Sequence, residues 1–190
     1  MAYLSDSALE RLGLAAYGRR VQISDKASIH GAARISLGDD VRIDDFCVLS
    51  AGEEGIGIGC YVHVACQCTL IGKARIELED FSGLSARVAV YSSSDDYSGE
   101  SLTNPTVPAE FRRVTDAAVR IGRHVIVGAG AVILPGVVIG EGAAVGALTL
   151  VAKSLEPFAV YSGVPARRVG PRSRALVDLE ARLRAARGES

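Results

Sequence analysis

Residues 121–151 read IGRHVIVGAGAVILPGVVIGEGAAVGALTLV, and this stretch decides the fold because an aliphatic residue returns at every sixth position. The aliphatic positions are Ile121, Val127, Ile133, Ile139, Val145 and Val151. A small or modestly apolar residue follows four positions later, at Val125, Ala131, Val137, Ala143, Thr149 and Leu155. An α-helix needs a spacing of about 3.6 and a simple strand alternates by two, so neither explains this period. The pattern predicts short strands joined by tight bends, three to a triangular coil, whose stacking buries one aliphatic core.

Glycine is the second recurring feature of this stretch. It directly follows the aliphatic residue in four units, at Gly122, Gly128, Gly140 and Gly146. We interpret this glycine as the residue that permits an unusual backbone at each corner of the coil.

The same period recurs upstream in short runs that are separated by regular slips of phase. The slips share a pattern of two aliphatic residues flanking one other residue, at 35–38, 56–59, 76–79 and 119–122. The first three lie about 20 residues apart, so each coil is interpreted as three hexads plus two residues. The last gap is about twice as long, and its excess coincides with residues 91–117, a polar stretch that contains Pro105 and Pro108. We expect this segment to project from the prism, either as a functional loop or as an arm around a neighbouring subunit.

Both ends of the chain predict short helices. Ser7 and Glu10 have the spacing of a capping box, so a helix over residues 6–17 is expected to cap the first coil. A second amphipathic helix is expected over residues 174–187, with a Glu180/Arg184 pair and an apolar side that packs onto the prism or a partner chain. That apolar side consists of Leu176, Leu179 and Leu183. The predicted architecture is all-β, with an N-terminal cap over 1–20, a prism over 21–158 with the projecting loop 91–117, and a C-terminal tail over 159–190.

Composition excludes several classes of protein. The net charge of -1 argues against a nucleic-acid or anionic-membrane partner. No apolar stretch is long enough for a membrane span and the N-terminus lacks the pattern of a secretory signal, so a cytoplasmic location is expected. The four cysteines, which include no CxxC pair, are interpreted mainly as reduced apolar fillers, with zinc binding or disulfides as alternatives. Cys66 and Cys68, two apart on a strand, are expected to point to the same side.

The repeat, together with Ser162-Gly163-Val164-Pro165-Ala166-Arg167, resembles the hexapeptide-repeat acyltransferases, and in particular the sugar O- and N-acetyltransferases of the galactoside acetyltransferase kind. The resemblance implies a left-handed parallel β-helix, a homotrimer and acetyl-CoA as acyl donor. It implies that the backbone at Ala129 and Ala147 faces the pantetheine arm, and that Lys153 and Arg167 lie beside the nucleotide of CoA. Relatives often place a basic residue where this chain has Gly170, so that phosphate contact is assigned to Arg168 or Arg172.

The acceptor side departs from the family, whose projecting loop usually supplies a catalytic histidine. This loop offers Ser94, Asp95 and Asp96 instead, followed by Tyr97. A carboxylate is a poor base for a sugar hydroxyl, but it can bind an ammonium group and accept its proton, which favours N-acylation. We therefore assign Asp95 and Asp96 to catalysis, and Ser94 and Tyr97 to substrate binding.

Among the histidines, His63 is the candidate base or oxyanion donor, since it ends a rung and should project outward. The alternative role of His63 is a surface or trimer contact. His30 and His124 are interpreted as structural.

The sequence therefore predicts a CoA-dependent enzyme that transfers an acetyl or short acyl group to a sugar. The resemblance implies a nucleotide-linked amino sugar of surface polysaccharide biosynthesis as acceptor, and no metal. Two alternatives remain open: a non-catalytic β-helix scaffold, and a γ-type carbonic anhydrase, whose zinc would need three histidines across a subunit interface.

Overall fold

The protein is described here by a computed structural model that covers residues 2–188. The helices are α1 (Asp6–Arg11) and α2 (Ala175–Arg187), and short 3-10 turns cover Ala32–Arg34 and Ala109–Phe111. The strands are β1 (Ala16–Tyr17), β2 (Gln22–Ile23), β3 (Ser28–His30), β4 (Ile35–Leu37), β5 (Arg42–Ile43), β6 (Val48–Ala51), β7 (Ile56–Ile58), β8 (His63–Val64), β9 (Thr69–Gly72), β10 (Ile76–Leu78), β11 (Gly83–Leu84), β12 (Ala89–Tyr91), β13 (Ser93–Asp95), β14 (Val114–Asp116), β15 (Val119–Ile121), β16 (Ile126–Val127), β17 (Val132–Ile133), β18 (Val138–Ile139), β19 (Ala144–Val145), β20 (Leu150–Val151), β21 (Ala159–Ser162) and β22 (Arg167–Pro171).

The strands stack into three parallel sheets that form the faces of a triangular prism of about seven turns. The first face contains β1, β4, β7, β10, β15 and β18; the second contains β2, β5, β8, β11, β16, β19 and β21; the third contains β3, β6, β9, β12, β17 and β20. β22 closes the second face by pairing antiparallel with β21. The predicted left-handed parallel β-helix is confirmed.

The aliphatic residues of the six-residue period form the core. The six residues of this period between Ile121 and Val151 are between 0% and 3% exposed. Burial of each such side chain stabilises the fold by about 1.5–3 kcal/mol. Because each inner strand of a face pairs with the coils above and below, its backbone groups are satisfied within the prism.

The corners of the prism show that the predicted role of glycine was wrong. Left-handed backbone occurs later in the unit, often at residues other than glycine, such as Phe81 (φ 58°) and His124 (φ 57°). The glycines that follow the aliphatic residues are required instead because the next coil approaches closely. A Cβ atom on Gly128 would lie 2.5 Å from the backbone nitrogen of Ala147, and one on Gly140 would lie 2.6 Å from that of Pro157.

Helix α1 is shorter than predicted and begins at a different cap. Ser5, not Ser7, is the N-cap, and its Oγ accepts a hydrogen bond of 3.3 Å from the Ala8 N–H. The helix ends at Arg11 because β1 pairs with β4 and draws the next residues into the first coil. The prism thus begins within the segment 1–20, and at the other end β21 extends it into the segment 159–190.

Helix α2 has the predicted bounds within one residue. Of the two alternatives predicted for its leucine side, packing onto the prism is not observed, and packing onto a partner chain stays a prediction. Leu179 is 58% exposed and Leu183 is 36% exposed, whereas Glu180 is buried. Glu180 lies 2.6 Å from Nε2 of His124 and pairs with Arg123, both on the prism, so the helix docks through charged and polar contacts. Arg184 of the same helix also donates to Glu180, at 2.7 Å. Between residues 2 and 188, neither helix is long and apolar enough to cross a membrane.

The cysteines divide into two groups. Cys47 and Cys68 are fully buried in the core, as expected of apolar fillers, whereas Cys60 and Cys66 are partly exposed. The prediction that Cys66 and Cys68 share a side was wrong, because Gln67 between them adopts a left-handed corner conformation (φ 62°) that breaks strand alternation.

The segment between β12 and β15 leaves the prism as the predicted projecting loop. Its base is a two-stranded antiparallel ladder in which Ser93 pairs with Asp116 and Asp95 pairs with Val114. The loop is therefore anchored to the coil at both ends, and its tip extends beyond this ladder.

Candidate active site

The edge between the second and third faces carries a column of small residues. Ala147 and Ala129 occupy equivalent corners of successive coils, because the Leu148 N–H donates to the Ala129 carbonyl at 2.9 Å. The same register continues downward through bonds from Gly130 N–H to the Ala86 carbonyl (3.0 Å) and from Arg87 N–H to the Cys66 carbonyl (3.0 Å). We call Ala147, Ala129 and Ala86 the alanine column; its members are spaced by about 4.8 Å, the distance between paired strands.

A basic cavity lies at the C-terminal end of the prism. Lys153, Arg167 and Arg168 all line this space, which measures about 410 Å³. Flexible ammonium and forked guanidinium groups are suited to phosphates. The structure thus brings together the two cations that were assigned to the CoA nucleotide.

Arg172 has a structural role instead. Its Nη1 donates to the carbonyls of His124 (2.8 Å), Gly142 (3.1 Å) and Ala143 (3.0 Å). Burial lowers the pKa of Arg172. Of the two alternatives for the additional phosphate contact, Arg168 is therefore the one that faces the basic cavity.

The two loop aspartates differ sharply in their surroundings. Asp96 accepts hydrogen bonds of 2.9 Å from the backbone N–H of Ser98 and from the hydroxyls of Ser98 and Ser101. The Ser98 N–H is the main cause that lowers the pKa of Asp96 to about 2, so this carboxylate organises the turn and is a weak proton acceptor. Asp95 is exposed, and among residues 2–188 no donor is hydrogen-bonded to its carboxylate.

Asp95 lines a cavity of about 430 Å³ at the base of the loop, which we call the loop-base cavity. Ser94 lines it too, and its hydroxyl donates to the Asp95 carbonyl at 3.2 Å. Tyr97 is 94% exposed at the loop tip and does not line this cavity. The structure therefore brings Ser94 and Asp95 together and leaves Tyr97 outside.

His63 projects from the second face, as predicted. Its Nε2 lies 2.9 Å from Oδ2 of Asp44, which also binds Arg42 at 2.7 Å. Burial would raise the pKa of Asp44, but the hydrogen bonds from Arg42 and His63 outweigh it and lower this pKa. His63 is thus oriented by a carboxylate, but within one chain it lies on a different face from Asp95.

The alanine column and the loop aspartate lie on opposite edges of the third face. Ala129 precedes β17 and Asp95 follows β12, and these two strands are parallel neighbours. One chain therefore presents a candidate donor groove at one edge and a candidate acceptor cavity at the other.

Sequence reasoning missed Ser85, which directly precedes the alanine column at Ala86. Its N–H donates to the Val127 carbonyl at 2.8 Å, so it occupies the corner position that Gly128 holds in the next coil. The signal that could have found it is a hydroxyl at a position where the C-terminal units carry glycine.

Comparison with known proteins gives the family. Residues 118–153 match the family described as bacterial transferase hexapeptide (six repeats). Over 180 residues, 95% of this chain and 94% of the relative, the sequence is 47% identical to dTDP-4-amino-4,6-dideoxy-D-glucose acyltransferase of Escherichia coli. This chain belongs to the hexapeptide-repeat sugar acyltransferases. The predicted family and the predicted CoA-dependent sugar acyltransferase are thereby confirmed.

Two solved structures of AntD, an N-acyltransferase from Bacillus cereus, match nearly the whole fold. An aspartate-to-asparagine variant with dTDP and coenzyme A superposes with a TM-score of 0.94 at 41% identity, covering 98% of this chain and 100% of that one. A serine-to-cysteine variant with dTDP-4-amino-4,6-dideoxyglucose and coenzyme A has a TM-score of 0.93 at 42% identity, covering 97% of each chain. Between residues 2 and 188, no cluster of three or more His, Cys, Asp or Glu side chains is arranged to hold a metal ion.

Proposed function

We propose that this enzyme transfers an acetyl or other short acyl group from acyl-CoA to the amino group of a dTDP-linked 4-amino-4,6-dideoxy sugar. The observation that carries the proposal is the near-complete match to AntD in complex with such a sugar and coenzyme A. The relative from Escherichia coli, whose name gives the same acceptor, supports it. The free carboxylate of Asp95 supports an amine rather than a hydroxyl as nucleophile.

The donor would lie along the alanine column. The pantetheine arm has about twelve bonds between its phosphate oxygen and sulfur, which corresponds to about four extended residues, or about 14 Å. Three coil steps of about 4.8 Å cover the same distance. An arm that starts at the level of Gly163, beside the basic cavity of Lys153 and Arg167, would thus bring the thioester to the level of Ala86 and Ser85.

At the thioester, Asp95 would bind the sugar ammonium and accept the proton that this group must lose before it becomes a nucleophile. The amine then attacks the carbonyl carbon, the C–S bond breaks, and the second amine proton leaves with the sulfur as the CoA thiol. The Ser85 hydroxyl or His63 would donate to the developing oxyanion. Ser94 would contact the sugar, Tyr97 would cover it from the loop tip, and Asp96 would hold the loop in shape.

The positions of two residues in AntD support the roles proposed here for Ser85 and Asp95. The aspartate and the serine that are replaced in the two AntD variants are ten positions apart in that protein, and Ser85 and Asp95 are also ten apart here. Since the two chains match over nearly their full length, this equal spacing supports equivalent roles.

A homotrimer with its sites between adjacent copies completes the proposal. The alanine column and Asp95 lie on opposite edges of one face, so a neighbouring prism could bring its loop to the column of the first. We propose a cytoplasmic location, where acyl-CoA and nucleotide sugars are made.

The test combines calorimetry with coenzyme A and a thiol-release assay with acetyl-CoA and dTDP-4-amino-4,6-dideoxyglucose. Wild-type enzyme should bind coenzyme A and release thiol only when the amino sugar is present. Asp95→Asn should lower kcat by ten-fold or more with unchanged affinity for coenzyme A, because the amine loses its counter-ion and proton acceptor. Glu110→Gln, an exposed carboxylate of the same loop, is the matched control. Absence of both coenzyme A binding and thiol release in the wild type would support the scaffold alternative.

A further inference from the structure

The loop-base cavity contains positive as well as negative charge. Arg112 and Lys73 line it together with Asp95. Lys73 places its Nζ 3.5 Å from Glu53 at the surface, a loose pair that leaves the ammonium available. The cavity therefore offers two cations and one carboxylate to a ligand.

The loop ladder explains why Arg112 faces this cavity. Asp95 pairs with Val114, and Arg112 precedes Val114 by two residues in extended backbone (φ −114°, ψ 148°). Side chains two positions apart on an extended segment share a side. Asp95, Val114 and Arg112 accordingly line the same cavity. Arg113 points to the other side, where it pairs with Glu100 at 3.2 Å.

Within residues 2–188, the guanidinium of Arg112 has no hydrogen-bond or ion-pair partner. Its Nε is enclosed, and within residues 2–188 no acceptor is hydrogen-bonded to it. No carboxylate in this range, including Asp95, forms an ion pair with Arg112. An enclosed N–H of a cation without an acceptor is costly, and a guanidinium fork fits phosphate oxygens well.

We propose that Arg112, assisted by Lys73, binds the diphosphate of the nucleotide-linked acceptor, while Asp95 holds the amine at the other end of the same sugar ring. This inference rests on the proposed function. The acceptor is a zwitterion whose ammonium and diphosphate are separated by one pyranose ring, and the loop-base cavity presents opposite charges that do not neutralise each other. The two charged ends would fix the direction in which the sugar lies, so that the amine points toward the thioester.

The test compares Arg112→Met with Arg113→Met, an arginine-to-methionine change on the opposite side of the same strand. Calorimetry uses dTDP and thymidine as probes, and kinetics use dTDP-4-amino-4,6-dideoxyglucose with acetyl-CoA. Arg112→Met should weaken dTDP binding by ten-fold or more, leave thymidine binding unchanged, and raise the KM for the amino sugar but not for acetyl-CoA. Arg113→Met should behave as wild type.

Arg112→Lys should recover part of the dTDP affinity, because a charge without the fork remains. Unchanged dTDP affinity in Arg112→Met, or an equal loss in Arg113→Met, would overturn the assignment. Wild-type enzyme that acylates the amino sugar in the same assay separates this outcome from failure of the proposed function. Circular dichroism shows whether each variant retains the β-helix.

Discussion

At the residue scale, the alanine column gives a prediction about the donor. Ala129→Leu adds a branched side chain where the pantetheine arm would approach the backbone, so the KM for acetyl-CoA should rise by ten-fold or more. Binding of dTDP should not change, because Ala129 is not among the residues that line the loop-base cavity. Ala181→Leu, an exposed alanine of α2, is the control. An unchanged KM for acetyl-CoA in Ala129→Leu would exclude the column as the donor groove.

Single residues also mark the limit of what the sequence could predict about the site. Lys153 and Arg167 could be assigned because they match basic positions of the family that the sequence resembles, and the structure places them in one cavity. Arg112 could not, because its approach to Asp95 depends on the register of a ladder that joins residues about twenty positions apart. Ser85 was overlooked for a similar reason, since the stacking of the coils places it beside the column, at the position that Gly128 holds in the next coil.

At the scale of elements, the six-residue period predicted the strands well, because this local spacing alone directs each aliphatic side chain into the core. The ends were predicted less well. Glu180 of α2 contacts His124 and Arg123 on the prism, and it also pairs with Arg184 of its own helix. The leucines of α2 are visible in the sequence but these contacts are not, so the sequence did not predict which side of the helix docks on the prism. Likewise, pairing of β1 with β4 overrides the helical pattern after Arg11.

Docking of α2 should depend on pH through Glu180. Burial would raise its pKa, but hydrogen bonds from Arg123, Arg184 and His124 lower it to about 2, from an ordinary value of 4.5. This contribution to stability is therefore complete above about pH 4.5 and is lost as the pH falls toward 2. Glu180→Gln should destabilise the fold by about 2 kcal/mol at pH 7, since it removes charged hydrogen bonds.

Thermal unfolding across pH 2–7 measures this effect. The difference in Tm between wild type and Glu180→Gln should shrink as the pH falls below about 4.5. Asp178→Asn, an exposed acid on the same helix, should show a smaller difference. A difference for Glu180→Gln that stays constant down to pH 2 would contradict a role for the ionised carboxylate.

At the scale of the whole molecule, the separation of donor groove and acceptor cavity on one chain makes the assembly testable. Asp95→Asn keeps an intact alanine column, and Ala129→Leu keeps an intact Asp95. If each site combines the column of one copy with the loop of the next, co-expressed variants form some sites in which both parts are wild type. Random mixing at equal amounts gives each site a one-in-four chance of this pairing. At an acetyl-CoA concentration well below the raised KM of Ala129→Leu, about a quarter of wild-type activity should therefore return, in addition to the residual rates of the two variants.

A site contained within a single chain predicts the opposite result. Each copy then carries one defect, and mixing restores nothing beyond the residual rates of the two variants. Light scattering on the mixture should give three times the chain mass of 19.8 kDa, which verifies that the variants assemble. Trimeric mass with no recovered turnover would place both halves of the site on one prism, and the loop would then have to reach across the third face from β12 to the corner before β17.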